Sequence, residues 1–174
     1  VLIKPIGGGR QWYQLSGYKK IGFNNAIIER FLNIKKVGFL VRTLNALYLR
    51  QRFFALASKE IAQNGPALLY AYEVHAVLAT KALSIAYGLP CITRFQGTIM
   101  VDYPDNAINR IRFYPHIQAL AEKSDTVIMT NDGTFGDKVL KDVGNTSAVI
   151  HYWRNGVARF DKKDNGDSLR KTLG

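Results

Sequence analysis

The sequence predicts an α/β fold with a doubly wound, mainly parallel, Rossmann-like sheet and helices on both faces. Three observations lead to this class. From residue 67 onward, short apolar runs bounded by glycine and proline alternate with longer segments of helical periodicity. The connections between the predicted strands are too long for hairpins, so neighbouring strands are expected to run parallel. Finally, 174 residues with 47% hydrophobic content suffice to bury one real core.

Four strands and three helices follow one another in the second part of the chain. The predicted strands cover residues 68–72, 91–95, 125–130 and 147–153. The predicted helices cover residues 76–87, 106–123 and 134–143. Pro115 is expected to kink or divide the second helix. The expected buried positions of that helix are Ile108, Ile111, Ile117, Leu120 and Ala121.

The first third of the chain is less regular. Residues 1–6 predict a strand, and residues 7–9 predict a flexible turn, because this glycine run lacks the lysine and hydroxyl residue of a phosphate-binding loop. A long or broken amphipathic helix is expected over residues 34–62. Its apolar positions are Phe39, Leu40, Leu44, Leu47, Phe54 and Ile61.

The positive charge is concentrated at the start of the sequence. Residues 1–60 contain 11 lysines and arginines but only two glutamates, within a chain of net charge +11. Such a field attracts nucleic acid, anionic lipid or a phosphorylated substrate. The aromatic residues interleaved with these cations suit a peripheral membrane surface, although many of them also have to serve the core. They are Tyr13, Tyr18, Phe23, Phe39, Tyr48, Phe53 and Phe54.

Several kinds of chemistry are disfavoured by the sequence. Cys91 is the only cysteine and lies in an apolar run, which is typical of a core thiol and suits a reducing cytoplasm. His75 has no second histidine or cysteine at metal-ligand spacing, so we expect no metal site. No stretch of the sequence reaches the length of apolar residues that a membrane span needs.

Polar residues follow three of the predicted strands. Because the carboxyl ends of parallel strands meet at one edge of a sheet, these residues are expected to line one cleft. The candidate cleft-lining or acceptor-binding residues are Glu73, His75, Gln96, Gly97, Thr98, Asn131, Asp132, Gly133 and Thr134.

Some of these candidates also have a structural interpretation. Asn131 or Asp132 is suited to cap the helix that begins near Thr134, and Glu73 is suited to cap the helix after the first of these strands. The amide of Gln96 is suited to position a hydroxyl group but not to act as a general base. Gly97 allows backbone to approach a ligand closely.

Four stretches resemble, in order, the motifs of glycosyltransferase family 4, whose two doubly wound domains face each other across a cleft. They are the strand of residues 68–73, the Gly-Leu-Pro run of 88–93 leading to the loop of 96–98, the helix and strand of 119–130, and Trp-Arg-Asn-Gly-Val at 153–157. The family's HAH motif reads Tyr70-Ala71-Tyr72 here, and its loop histidine is Gln96. No catalytic residue is therefore carried over, and the catalytic residues stay unknown.

The resemblance implies a partial N-terminal, acceptor-side domain over residues 1–153, followed by a hinge and the start of a nucleotide-sugar domain over 154–174. The hinge residues would be Asn155 and Gly156. The implied reaction transfers a sugar from a nucleoside-diphosphate sugar to an acceptor hydroxyl, without a cofactor, in surface polysaccharide or glycolipid synthesis. Since most of the second domain is absent from these residues, the chain alone is expected to be inactive.

The expected partners are a sugar or lipid-linked acceptor and an anionic membrane surface at the inner face of the cell membrane. Nucleic acid is not expected as a partner. Two alternatives remain open at this point: a basic nucleic-acid-binding module, although no recognition signature is present, and another sugar-nucleotide-processing α/β domain, although no dinucleotide fingerprint is present.

Overall fold

The structure is a computed structural model that describes residues 1–6, 19–24, 38–103, 106–130 and 133–154. The predicted turn at 7–9, the hinge, and the candidates Asn131 and Asp132 lie outside these ranges. The predicted α/β class with a parallel, Rossmann-like sheet is confirmed.

In the described residues, six strands form two parallel sheets. Strands β1 (Leu2–Ile6) and β2 (Lys20–Asn24) pair with each other. Strands β3 (Leu69–Tyr72), β4 (Cys91–Phe95), β5 (Thr126–Thr130) and β6 (Val149–Trp153) form the second sheet in sequence order. Within the described ranges, strand β2 is the one that the sequence did not predict.

Among the residues that the structure describes, five helices and one 3₁₀ turn (Met100–Asp102) connect the strands. The long helix α1 (Gly38–Asn64) precedes β3, and α2 (Val74–Tyr87) joins β3 to β4. Helices α3 (Ala107–Arg112) and α4 (Tyr114–Ala121) lie between β4 and β5, and α5 (Gly136–Asp142) precedes β6. Across these ranges, no helix combines the length and the apolarity that crossing a bilayer requires.

Pro115 divides the predicted helix 106–123, as expected. It occupies the first turn of α4, where its missing N–H is tolerated, while Asn106 begins α3 by accepting the Asn109 N–H at 2.9 Å. The expected burial of Ile108 and Ile111 is wrong, because both lie on the outward side of the short helix α3 and are exposed.

The main core lies where α2, α4 and α5 pack on one face of the four-stranded sheet. Register places Ala71, Thr93, Val127 and Ile150 side by side on that face. Helix side chains that complete this core include Val77, Leu120 and Leu140. Cys91 is also buried, which confirms that its thiol belongs to the core.

A second core lies beneath α1. Phe23 from β2 packs edge-on against Phe53 with ring centroids 5.3 Å apart, and Leu49 and Ala79 complete the cluster. Phe23 and Phe53 are therefore buried, which rules them out as part of a membrane surface.

Most of the apolar positions named for α1 do not lie on its inward face. Leu40, Leu44 and Leu47 are exposed, and the inward face is built around Asn45, Leu49 and Phe53. Phe39 is also exposed and Phe54 is half-buried, whereas Ile61 is buried. The helix has two apolar stripes, and the packing of β2 and α2 selects the one with Leu49 and Phe53.

A cavity of about 590 Å³ separates the two sheets. Ile3 of β1 lines one side, and Leu69 and Tyr70 of β3 line the other. On one side of this cavity, β1 is the nearest strand and β2 lies beyond it. On the other side, β3 is the nearest strand and β4 to β6 follow in order. In doubly wound sheets, ligands bind where the order of the strands reverses in this way.

Candidate functional site

The site lies at the carboxyl edge of the four-stranded sheet, where the loops after β3, β4 and β5 meet. Glu73 follows β3, Gln96 and Gly97 follow β4, and Thr134 follows β5. Parallel pairing of the strands brings these loops to one side, as the sequence predicted.

Glu73 joins the first loop to the second. Its Oε1 accepts the Gln96 backbone N–H at 2.7 Å, while its own backbone N–H donates to the Arg94 carbonyl oxygen at 2.9 Å. The side chain makes no capping bond to α2, so the capping interpretation of Glu73 is wrong. The carboxylate is used across the cleft rather than along its own helix.

The backbone of Glu73 is strained. Its φ of 64° and ψ of 162° lie in a region that is essentially restricted to glycine. Such a conformation costs on the order of 1–3 kcal/mol and persists where surrounding contacts enforce it. Here the two hydrogen bonds to the β4 strand and loop hold it in place.

The Glu73 carboxyl group has a raised pKa, because burial disfavours its charged form. The hydrogen bond from Gln96 and the positive charge of Arg94 oppose this effect and lower the pKa. A carboxylate with a raised pKa is a better proton acceptor than an exposed one.

Gln96 is held by two neighbours. The Tyr72 hydroxyl donates to its side-chain Oε1, and its backbone N–H is bound to Glu73. With the amide oxygen engaged, the Gln96 NH₂ group is the part of the side chain that remains to donate to a ligand oxygen.

Gly97 brings the second loop against the third. Its φ is 102°, and a Cβ atom there would lie 3.1 Å from Thr134 Cγ2. The close neighbour of this glycine is therefore the Thr134 side chain. Thr98 is buried, and its hydroxyl accepts the Met100 N–H at 3.1 Å, so it supports the 3₁₀ turn instead of facing a ligand.

The third loop presents an aromatic side chain. Gly133 is exposed with a φ of 97°, and Phe135 adopts a left-handed conformation with a φ of 47° while remaining exposed. A bulky residue in this conformation is rare. The sequence analysis did not identify Phe135, because nothing in its local pattern signals a positive φ.

Arg94 is a second residue that the sequence analysis missed. Its guanidinium carbon lies 5.7 Å from the ring centroid of Trp153, so the side chain crosses over β5 to reach β6. Its Nε is buried and has no hydrogen-bond partner in the described part of the chain. Register places Tyr72 and Arg94 side by side on one sheet face, a signal that strand alternation could have supplied.

His75 extends the site toward the cavity between the sheets. Together with Tyr72 and Glu73 it lines the end of that cavity, and its imidazole keeps an exposed edge. The surrounding protein still lowers its pKa. Burial and the nearby charge of His75 lower the pKa of His116 to about 4, so both imidazoles favour the neutral form.

The described residues at this edge offer hydrogen-bonding groups beside exposed aromatic rings. The described residues contain no group of three histidine, cysteine or acidic side chains placed to hold a metal. Instead, the edge offers one carboxylate, one amide and exposed aromatic rings. Comparison with known protein families, curated proteins and solved structures finds no match to this chain.

Proposed function

We propose that this chain is the acceptor-side domain of a glycosyltransferase that uses a nucleoside-diphosphate sugar. The observation that carries the proposal is the hydrogen-bond network of Tyr72, Gln96 and Glu73. This network lies at the carboxyl edge of a parallel sheet, beside the point where the strand order reverses. This is the place where doubly wound domains bind ligands.

The chemistry of the edge supports a sugar hydroxyl as the group recognised. The Glu73 carboxylate is suited to accept a proton or hydrogen bond from a hydroxyl, and the Gln96 amide to donate one. Phe135 and Trp153 present exposed rings, on which the C–H faces of sugar rings can stack. In this proposal the donor nucleotide is held mainly by a second domain that follows the hinge.

The neighbouring cavity supports a lipid-linked acceptor over a free sugar. It is continuous with Glu73 and His75 at the site, and Phe53, Ile61 and Leu83 form part of its apolar wall. An acceptor with an apolar portion would bury that portion here, at roughly 25 cal/mol per Å² of apolar surface, and leave its hydroxyl at the carboxyl edge.

The proposal is tested by measuring release of nucleoside diphosphate from a panel of sugar nucleotides. The assay uses this chain together with the second domain that the proposal requires, with membrane lipid extract present and absent. Lipid-stimulated release from one donor supports the proposal and identifies the sugar. Absence of release and of donor binding across the panel overturns it and favours a binding module.

A further inference from the structure

Two buried polar atoms lie on the face of the four-stranded sheet that is opposite the main core. They are Nε of Arg94 and Oγ1 of Thr130, and neither has a hydrogen-bond partner in the described part of the chain. Thr130 is only 1% exposed. A buried polar atom without a partner lowers the stability of a protein, so such atoms are rare unless a ligand or water completes them.

Arg94 and Thr130 are neighbours at the carboxyl edge. Arg94 on β4 is the register partner of Ile128 on β5, and Thr130 follows two residues later on the same face. Thr130 is in turn the register partner of Trp153 on β6. Because the Arg94 guanidinium lies 5.7 Å from the Trp153 ring centroid, its side chain passes over the end of β5, where Thr130 lies.

The positive charge of Arg94 is available to a ligand. Among the residues that the structure describes, no acidic side chain forms a salt bridge with Arg94. The carboxylate of Glu73 lies near enough to feel the charge, but its Oε1 accepts the Gln96 N–H instead. A single guanidinium offers a planar fork of donors, which matches the two oxygens of a carboxylate.

We propose that Arg94 and Thr130 bind the carboxylate of an acidic acceptor sugar, that is, a uronic acid. The guanidinium would donate to the carboxylate oxygens, and the Thr130 hydroxyl would add a further donor. The ring of Trp153 is 49% exposed and offers a surface for the C–H groups of the sugar ring. The inference rests on the proposed function, because it takes the ligand to be an acceptor sugar and names its class.

Binding of a carboxylate here would also act on Glu73. Burial raises the pKa of the Glu73 carboxyl group, while the Gln96 hydrogen bond and the positive charge of Arg94 oppose this effect. A carboxylate bound to Arg94 would offset that positive charge and raise the pKa of Glu73 further. An acidic acceptor would therefore make Glu73 a stronger proton acceptor than a neutral one would.

The experiment is a titration of the full chain by saturation-transfer difference NMR. The ligands are methyl glycosides of glucuronic and galacturonic acid, their methyl esters and the corresponding neutral sugars. We expect one uronoside to bind about tenfold more tightly than its uncharged ester. Arg94→Gln should abolish this preference. Arg52→Gln is the matched control and should keep it, because Arg52 also lies 5.7 Å from an aromatic ring centroid but packs on Phe23 in the second core.

Thr130→Val separates ligand binding from folding. Valine keeps the shape of threonine and removes the buried hydroxyl that has no partner in the described residues, so the melting temperature without ligand should stay the same or rise. Binding of the uronoside should nevertheless weaken roughly three- to tenfold. A lower melting temperature together with unchanged uronoside binding would show that the hydroxyl serves only the fold, and would overturn the inference.

The remaining outcomes distinguish this inference from the proposed function. Equal binding of uronoside, ester and neutral sugar overturns the inference but leaves a sugar acceptor in place. Tighter binding of inorganic phosphate than of any uronoside overturns it in favour of a phosphate site. Binding of no glycoside overturns it and also argues against an acceptor site at this edge. None of these measurements requires a donor or the second domain.

Discussion

The two edges of the four-stranded sheet differ in how they use left-handed backbone. At the amino edge, the positive φ values belong to Gly65, Gly88 and Gly144, each with open space where a Cβ would lie. At the carboxyl edge, Glu73 and Phe135 adopt positive φ despite their side chains. In the described part of the chain, strain is thus confined to the edge that carries the candidate site, as is common where function fixes geometry.

The amino edge is secured by ordinary hydrogen bonds instead. Asp125 Oδ2 accepts the Cys91 N–H at 2.8 Å, which fastens β4 to the start of β5. The Asn145 side-chain amide donates to the Leu120 carbonyl oxygen at 2.7 Å. One edge is therefore built for stability, while the other holds polar groups in place at some cost to stability.

The largest expected effect concerns acceptor use. Glu73→Gln keeps an oxygen that accepts the Gln96 N–H but removes the carboxylate as a proton acceptor, which should lower kcat/KM for the acceptor on the order of 100-fold. The KM for the donor should stay unchanged. Steady-state kinetics of this chain joined to the second domain that the proposal requires measure both values, and Glu122→Gln is the matched control at the amino edge. Equal losses for donor and acceptor would argue against this placement of the acceptor.

Replacing a glycine by alanine should lower the free energy of unfolding more at the carboxyl edge than at the amino edge. Gly97→Ala has to adopt a φ near 102° and to push Thr134 away, so it should lower the free energy of unfolding by roughly 2–3 kcal/mol. Gly88→Ala has open space and should cost only about 1 kcal/mol. Urea denaturation measures both, and similar values would show that the packing of Gly97 on Thr134 is unimportant.

As the pH falls, the stabilising contribution of His116 at the carboxyl edge should be lost at a higher pH than that of Asp125 at the amino edge. His116 has a lowered pKa of about 4 in the fold, so the unfolded state binds more protons below the ordinary pKa of 6.5. Its contribution, roughly 2 kcal/mol, is fully present above pH 6.5 and is lost as the pH falls toward 4. Asp125 also has a lowered pKa, because it accepts the Cys91 N–H, and its contribution is lost only below its ordinary pKa of 3.8.

Unfolding free energies measured between pH 7 and 4 test this order. His116→Gln should flatten the decline, while His151→Gln, at an exposed position, should leave it in place. A decline that persists unchanged in His116→Gln would contradict the assignment.

The smallest expected effect isolates the strain at Glu73. Both Glu73→Gly and Glu73→Ala remove the hydrogen bond to Gln96, but only glycine relaxes the backbone, so the glycine variant should be more stable by about 1 kcal/mol. At Glu122, where φ is −67°, alanine should instead be the more stable of the two. Thermal unfolding compares the four variants, and the same order at both positions would disprove the strain.

The sequence predicted the four-stranded sheet well because its strands are short apolar runs between turn residues. Cys91–Phe95 follows Gly88 and Pro90, so its limits are marked by backbone chemistry. Strand β2, Lys20–Asn24, was missed because it is only five residues long, begins with a lysine and contains Gly22. Ile21 and Phe23 alternate, but two apolar residues are too few to establish a strand period.

The inward face of α1 could not be chosen from the sequence. Leu40, Leu44 and Leu47 fit helical periodicity as well as Leu49 and Phe53 do, and only the neighbouring elements decide which stripe is buried.

The carboxyl edge was predictable in part. Glu73, Gln96 and Thr134 follow from parallel strand order, which sequence periodicity reveals. Strand alternation could have placed Arg94 on the same sheet face as Tyr72. However, the local sequence pattern shows neither the contact of Arg94 with Trp153 across β5 nor the unusual φ of Phe135.

The measurement that tests the central claim most directly is hydrogen–deuterium exchange of the full chain with and without a detergent-solubilised polyprenyl-phosphate-linked sugar. The account predicts slower exchange at residues 96–98 and 133–136, with residues 88–90 and 143–147 unchanged. Slower exchange confined to the amino edge, or none at either edge while the lipid-linked sugar is bound, would contradict it.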